Sequence, residues 1–141
     1  MRRFIPIMLG VLAVTATACG GGDSSTAPTS IAGTYTLQTV NNAPLPFTTS
    51  EDATYKAEIL SWVVTLNDNN SFSHVLKGRS TDNGVTTENT VTGAGTYTLS
   101  GATIDMFDSS DNSHLQATVS GSTMTVVVDG PLGTFTLRFT R

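Results

Sequence analysis

The sequence has few of the residues that proteins use for catalysis or disulfide bonding. Its 141 residues include one cysteine, two histidines and 13% charged residues. A single cysteine cannot form an intrachain disulfide, so an apolar core must hold the fold together. Gly-x-Ser-x-Gly, Walker and His-Glu-x-x-His motifs are all missing, and the carboxylates show no paired spacing. We therefore predict that the protein is not an enzyme, with no catalytic residues, no cofactor and no metal.

Basic residues are also scarce, and those present are scattered. The formal net charge is −4, from seven Lys and Arg against eleven Asp and Glu. Proteins that bind nucleic acid cluster Lys and Arg against the phosphates. Beyond the N-terminus the basic residues are Lys56, Lys77, Arg79, Arg138 and Arg141. This spacing predicts no nucleic-acid partner.

The first 18 residues have the pattern of a secretory signal peptide. Arg2 and Arg3 precede an apolar run at 4–14, and small residues follow. The run is shorter than the roughly 20 apolar residues of a membrane-spanning helix. Residues 1–18 are therefore predicted to be removed during export.

Residues 16–19, Ala-Thr-Ala-Cys, resemble the lipobox of bacterial lipoproteins, whose cysteine is acylated and becomes the first residue after cleavage. The resemblance implies lipid attachment at Cys19 and a membrane partner bound through the acyl chains. Because Gly20 and not aspartate follows, it implies the outer membrane of the cell envelope, with the domain facing the periplasm or the surface. The alternative is ordinary secretion after cleavage at Ala18, which leaves a free thiol. Residues 19–30, rich in Gly, Ser and Thr, are predicted to be a flexible linker.

From residue 31 onward, apolar residues alternate with Thr, Ser and Asp, which is the pattern of half-buried strands. We predict eight strands, at about residues 31–40, 55–67, 72–76, 86–99, 104–106, 115–119, 124–128 and 135–139. Pro44 and Pro46 are expected to be excluded from any strand ladder. A change of phase near Ile59 and Leu60 predicts a β-bulge.

The short connections after the second strand indicate antiparallel neighbours in a meander. A closed barrel removes the exposed edges that a sandwich or an open sheet would keep. We therefore predict an all-β domain over residues 31–141, an eight-stranded antiparallel up-and-down barrel. The predicted inward side chains, among them Leu60, Leu99 and Phe139, are mostly large, which favours a filled core over a roomy cavity.

The stretch IAGTYTLQTVNNAPLPF at residues 31–47 resembles the opening of bacterial lipocalin-like lipoproteins, and later hairpins such as GTYTLSGATI are similar to theirs. The resemblance covers residues 31–141 and implies a small calycin-like barrel. In lipocalins a Gly-x-Trp motif closes one end of the barrel, and an Arg from the last strand packs over the Trp. Here Tyr35 takes the Trp position, and Arg138 or Arg141 could supply the Arg. Alternation along the last strand favours Arg141.

Four side chains are candidate ligand contacts in such a barrel, which holds one small ligand or is filled by side chains. They are Tyr35, Trp62, His74 and Tyr97. His74 shares a phase with Phe72 and Leu76, so it is a polar contact in an apolar site, a haem ligand, or a histidine hydrogen-bonded near the barrel mouth. Residues 105–114 are acidic but lack the glycine and glutamate of an EF-hand, which favours a solvated hairpin loop over a calcium site.

Two functions follow from these expectations. The first is a membrane-anchored envelope lipoprotein whose lipocalin-like domain binds a small apolar ligand. The alternative is a filled-barrel interaction or structural lipoprotein, for example one that resembles a protease inhibitor. Its partner would be an envelope protein, and its loops would be the contact surfaces.

Overall fold

Ten strands occupy the part of the chain that the structure, a computed structural model, describes: residues 30–130 and 133–141. They are β1 Gly33–Val40, β2 Ala43–Pro44, β3 Phe47–Glu51, β4 Tyr55–Leu66, β5 Ser71–Asp82, β6 Val85–Ser100, β7 Thr103–Asp108, β8 Ser113–Ser120, β9 Thr123–Gly130 and β10 Gly133–Thr140. Those residues contain no helix. The predicted signal peptide, Cys19 and linker residues 20–29 lie outside the described residues.

Eight of the strands form a closed antiparallel barrel. From β4 to β10 each strand pairs with the next one along the chain. β1 closes the ring because it pairs with β10 on one side, where Leu37 faces Phe139, and with β4 on the other, where Tyr35 faces Val64. The predicted all-β, eight-stranded up-and-down barrel is confirmed, and this architecture is consistent with a calycin-like fold.

The two remaining strands, β2 and β3, lie where β1 and β4 diverge. β1 pairs with β4 only over Gly33–Thr36. Beyond that point β2 pairs with the end of β1, and β3 pairs with the start of β4. Our expectation for Pro44 was wrong, because it pairs with Thr39 in β2. A proline is tolerated there because β2 is an edge strand, whose outer side needs no backbone donor.

The predicted β-bulge in β4 is confirmed. The register between β4 and β5 shifts between Ile59 and Ser61, which makes Leu60 the extra residue. Ile59 faces Gly78 and Trp62 faces Leu76 across the strand pair. Since Gly78 and Leu76 are two residues apart on β5, the bulge places Ile59 and Trp62 on the same inner face.

One end of the barrel is closed by Tyr35 and Arg141. Tyr35 is fully buried, and its hydroxyl donates to the Ile31 carbonyl at 2.8 Å. The Arg141 guanidinium carbon lies 5.6 Å from the centre of the Tyr35 ring, within the range of a cation–π contact. The same guanidinium donates to the carbonyls of Ser30 and Ala32 at 3.0 and 2.7 Å. Arg141, and not Arg138, therefore packs over the aromatic ring.

Candidate functional site

A cavity of about 230 Å³ lies between the inward side chains of β4, β5, β7 and the start of β8. Most of its walls are apolar. The lining residues are Trp62, Val64, Phe72, His74, Leu76, Met106, Asp108, Asp111, Ser113, His114 and Leu115. Asp111, Ser113 and His114 are exposed. The cavity therefore reaches the surface at the turn between β7 and β8.

His74 and Asp108 form the polar part of this cavity. The His74 Nε2 atom lies 2.9 Å from the Asp108 Oδ2 atom. Asp108 is only 8% exposed, and its Oδ1 atom accepts from the Ser110 hydroxyl at 2.6 Å and the Ser110 backbone N–H at 2.8 Å. The Ser110 hydroxyl is the main cause that lowers the pKa of Asp108; the Ser110 N–H and His74 act in the same direction, and burial opposes them. An ionised Asp108 requires a donor, which assigns the proton to His74 Nε2.

Two glycines of β6 allow this contact. His74 on β5 faces Gly93, and Asp108 on β7 faces Gly95, so β6 runs between the two side chains. A Cβ atom on Gly93 would overlap both the Asp108 carboxylate and the His74 ring. A Cβ atom on Gly95 would overlap the Phe107 carbonyl. The missing side chains let His74 and Asp108 meet across an intervening strand.

Trp62 and His74 each bury a polar atom that has no partner among the described residues. These atoms are Trp62 Nε1 and His74 Nδ1. The two ring centres are 5.9 Å apart. The indole N–H is a donor, and with the proton on Nε2 the Nδ1 atom of a neutral His74 is an acceptor. A buried polar group without a partner costs about 1–3 kcal/mol, and each of these two atoms has less than 1 Å² of accessible surface.

The structure brings together two of the four predicted ligand contacts. Trp62 and His74 line the cavity, whereas Tyr35 and Tyr97 do not. The Tyr97 hydroxyl donates to the Asn67 carbonyl at 2.7 Å, as that of Tyr35 does to Ile31. Burial raises the pKa of both phenols. Both tyrosines hold loop backbone at the barrel surface.

Sequence reasoning missed Asp108 as a site residue. The alternation of inward and outward side chains along β7 could have identified it, because Asp108 follows Ile104 and Met106 at intervals of two residues and both of those were predicted to face inward. The haem-ligand interpretation of His74 stays a prediction. Nε2 is engaged by Asp108, and Nδ1 is buried without a partner among the described residues.

The other acidic side chains of residues 105–114 act separately. Asp105 contacts His114 Nδ1 at 3.0 Å, and Asp111 accepts from the Ser113 backbone N–H at 3.1 Å. Within residues 30–130 and 133–141, no group of three or more His, Cys, Asp or Glu side chains is placed to hold a metal ion.

No protein family, curated protein or solved structure matches this chain. In the part of the chain that the structure describes, no helix is long and apolar enough to span a membrane. Function is therefore inferred from the cavity and from the N-terminal sequence.

Proposed function

We propose that this chain is a lipid-anchored protein of the cell envelope whose lipocalin-like barrel binds a small, mostly apolar molecule that carries one hydroxyl-type group. The observation that carries the binding function is the cavity in which Trp62 and His74 meet. The support for the anchor is the N-terminal pattern that ends at Cys19. By the resemblance stated above, the outer membrane is the proposed location.

The volume of the cavity limits the size of the ligand. An apolar protein cavity of about 150 Å³ holds benzene, so a volume of about 230 Å³ suits a single ring with a short substituent. Phe72, Leu76 and Met106 supply apolar walls, and burial of apolar ligand surface contributes about 25 cal/mol per Å². Pockets that bind drug-sized ligands measure about 300–1,000 Å³, which is more than this site offers.

The polar group of the ligand is expected between Trp62 and His74. In the proposed complex a hydroxyl accepts from Trp62 Nε1 and donates to His74 Nδ1. Both atoms have less than 1 Å² of accessible surface without the ligand, so the two rings must shift to admit it. Asp108 supports this role because it holds the proton of His74 on Nε2. The proposed ligand class is therefore small aromatic or cyclic alcohols.

Trp62 reports on binding directly because it is the sole tryptophan of the chain. Titration with toluene and with benzyl alcohol should change its fluorescence to saturation. Benzyl alcohol should bind about two- to twelvefold more tightly than toluene, since a single neutral hydrogen bond contributes roughly 0.5–1.5 kcal/mol.

Two matched variants control this titration. Leu115→Phe fills the cavity and should weaken both probes, whereas Leu99→Phe makes the same exchange at a side chain that is 46% exposed and outside the cavity. A response that never saturates, or equal affinity in the two variants, would contradict the binding function.

The filled-barrel alternative is favoured by a different observation. Large side chains with no exposed surface fill much of the interior, among them Tyr35, Met124 and Phe139. If neither probe binds, we would prefer an interaction or structural lipoprotein with an envelope-protein partner. Its contact surfaces would then be the loops at residues 41–47 and 108–114.

A further inference from the structure

Half of β6 has an unpaired edge. β6 pairs with β5 along Val85–Thr96, but with β7 only from Gly95 to Ser100. On the β7 side, residues 85–94 face no other strand within the described residues. All side chains from Val85 to Thr92 are exposed, so nothing described covers this edge.

The hydrogen-bond pattern identifies which backbone groups point outward. The Tyr97 N–H donates to the Asn70 carbonyl on the β5 side, and the Ala94 carbonyl accepts from the Ser109 N–H on the other side. The β5–β6 register has no irregularity, and backbone direction alternates along a strand. The residues that point both N–H and C=O away from β5 are therefore Thr86, Glu88, Thr90 and Thr92.

We propose that a second copy of this chain pairs with this edge, antiparallel and centred on Asn89, to form a symmetric dimer. A free edge with unpaired N–H and C=O groups is a template for strand pairing. Centring on Asn89 sets Thr86 opposite Thr92 of the second copy and Glu88 opposite Thr90 of the second copy. Each residue whose backbone N–H and C=O point away from β5 then lies opposite a residue of the second copy with the same backbone orientation, so the two can form hydrogen bonds across the pair.

Neighbouring registers are less favourable. Centring on Glu88 would put two glutamates directly opposite each other, and like charges in that position are destabilising. Centring on Thr90 would pair Thr86 with Ala94, whose carbonyl already accepts from Ser109. The Asn89 register avoids both conflicts and uses all four outward-pointing residues.

The charges beside the edge complement each other in this register. Glu88 faces Arg79 within its own sheet, and Thr90 faces Lys77. Pairing Glu88 with Thr90 of the second copy therefore places the glutamate in a row between Arg79 of its own chain and Lys77 of the other. The one acidic residue of residues 85–93 thus lies between two cations. Arg79 is also paired with Glu58 at 2.8 Å, so Lys77 of the second copy supplies the cation that the dimer adds.

Sedimentation velocity of the full chain tests the dimer. Thr90→Pro removes an outward N–H without removing a bond to β5, and Thr90→Ala keeps that N–H. By symmetry the proline removes two intermolecular hydrogen bonds, so its dimer should dissociate at a concentration about tenfold or more higher than that of wild type. The dimer of Thr90→Ala should match wild type.

Two outcomes would overturn the proposal. One is a wild-type monomer at every concentration, and the other is association that Thr90→Pro leaves unchanged, which is what association through residues 1–29 would give.

Disulfide trapping tests the register and needs no proline variant. In a Cys19→Ser background, Asn89→Cys faces its own copy as a non-hydrogen-bonded pair with Cα atoms about 4.5 Å apart, within the range of disulfides. Thr87→Cys faces Val91 of the second copy and lies about 13 Å along the strand from its own equivalent. Asn89→Cys alone should give a covalent dimer on oxidation. Equal trapping of both variants, or of neither, would overturn the proposed register.

Discussion

At the scale of single residues, Asp108 determines the character of the cavity. It is a buried carboxylate that is stabilised in its ionised form by two groups of Ser110 and by His74. By accepting from Nε2, it leaves Nδ1 of a neutral His74 as a buried acceptor without a partner among the described residues. A side chain from a polar turn sequence, Asp-Ser-Ser, thereby orients the polar group of an apolar site.

We predict that Asp108 contributes stability that depends on pH. Because the pKa of Asp108 is lowered on folding, its contribution is complete above the unfolded value of about 3.9. It is lost as the pH falls through the lower folded value. Asp108→Asn should cost about 1.5–3 kcal/mol at pH 7, the range for hydrogen bonds to a charged group. The difference from wild type should shrink below about pH 4.

Urea denaturation from pH 7 to pH 2 measures this effect. Asp111→Asn is the control, because it makes the same change of charge at an exposed residue of the same turn. If the two variants lost the same stability at every pH, the hydrogen bonds of Asp108 would not be the source of the stabilisation.

At the scale of elements, β6 separates β5 from β7 but has no side chain at the two positions that face His74 and Asp108. Its Gly93 and Gly95 face inward beside His74 and Asp108. Glycine in a strand interior usually costs stability because it has no side chain to pack. Here the missing side chain provides the space in which residues of β5 and β7 meet.

Gly93→Ala should therefore separate His74 from Asp108 and destabilise the barrel by about 1–3 kcal/mol, the usual cost of overpacking. Gly130→Ala is the matched control, because among the described residues its Cβ atom would find only the Gly133 carbonyl at 3.9 Å; it should change stability by less than about 0.5 kcal/mol. In an Asp108→Ala background the cost of Gly93→Ala should fall, since one of the two overlapping groups is gone. Additive costs of Gly93→Ala and Asp108→Ala would contradict this account.

The strands could be predicted from the sequence because antiparallel hairpins are local structures. Alternation identified all eight barrel strands, and the change of phase identified the bulge at Leu60. The short strands β2 and β3 were not predicted, because Pro44 and Pro46 argue against any ladder. Periodicity also predicts on which face of the sheet a side chain lies, but it does not predict how much of that side chain is buried. Leu99, in phase with buried Tyr97, is 46% exposed.

The candidate site was only half predictable. Trp62 and His74 were selected by their phase and chemistry. Phase also marks Asp108 as facing inward, but its contact with His74 could not be found in this way, because the two residues are 34 positions apart and lie on either side of β6. That contact depends on the registers of two strand pairs, and a sequence pattern does not specify them.

At the scale of the whole molecule, the chain enters the barrel at one end and the cavity opens at the other. Ser30 is held by Arg141, and both border a surface pocket with Gly101 and Ala102, just before β7 begins. The cavity reaches the surface at the turn that follows the end of β7. Ser30, where the described chain begins, and the mouth of the cavity therefore lie near opposite ends of β7.

This arrangement predicts that anchoring and ligand binding are separable. Under the proposed function, Cys19→Ala should move the protein from the membrane fraction to the soluble fraction, because stable attachment requires the acyl chains. Its affinity for benzyl alcohol, followed by Trp62 fluorescence, should equal that of wild type, since the cavity lies at the far end of β7 from Ser30. Ser24→Ala is the control for a change near the cysteine and should stay with the membrane. Intact mass of the wild type distinguishes acylated Cys19 from cleavage after Ala18 with a free thiol. A wild-type protein that is soluble and unacylated would contradict the anchor and leave the test of the cavity unaffected.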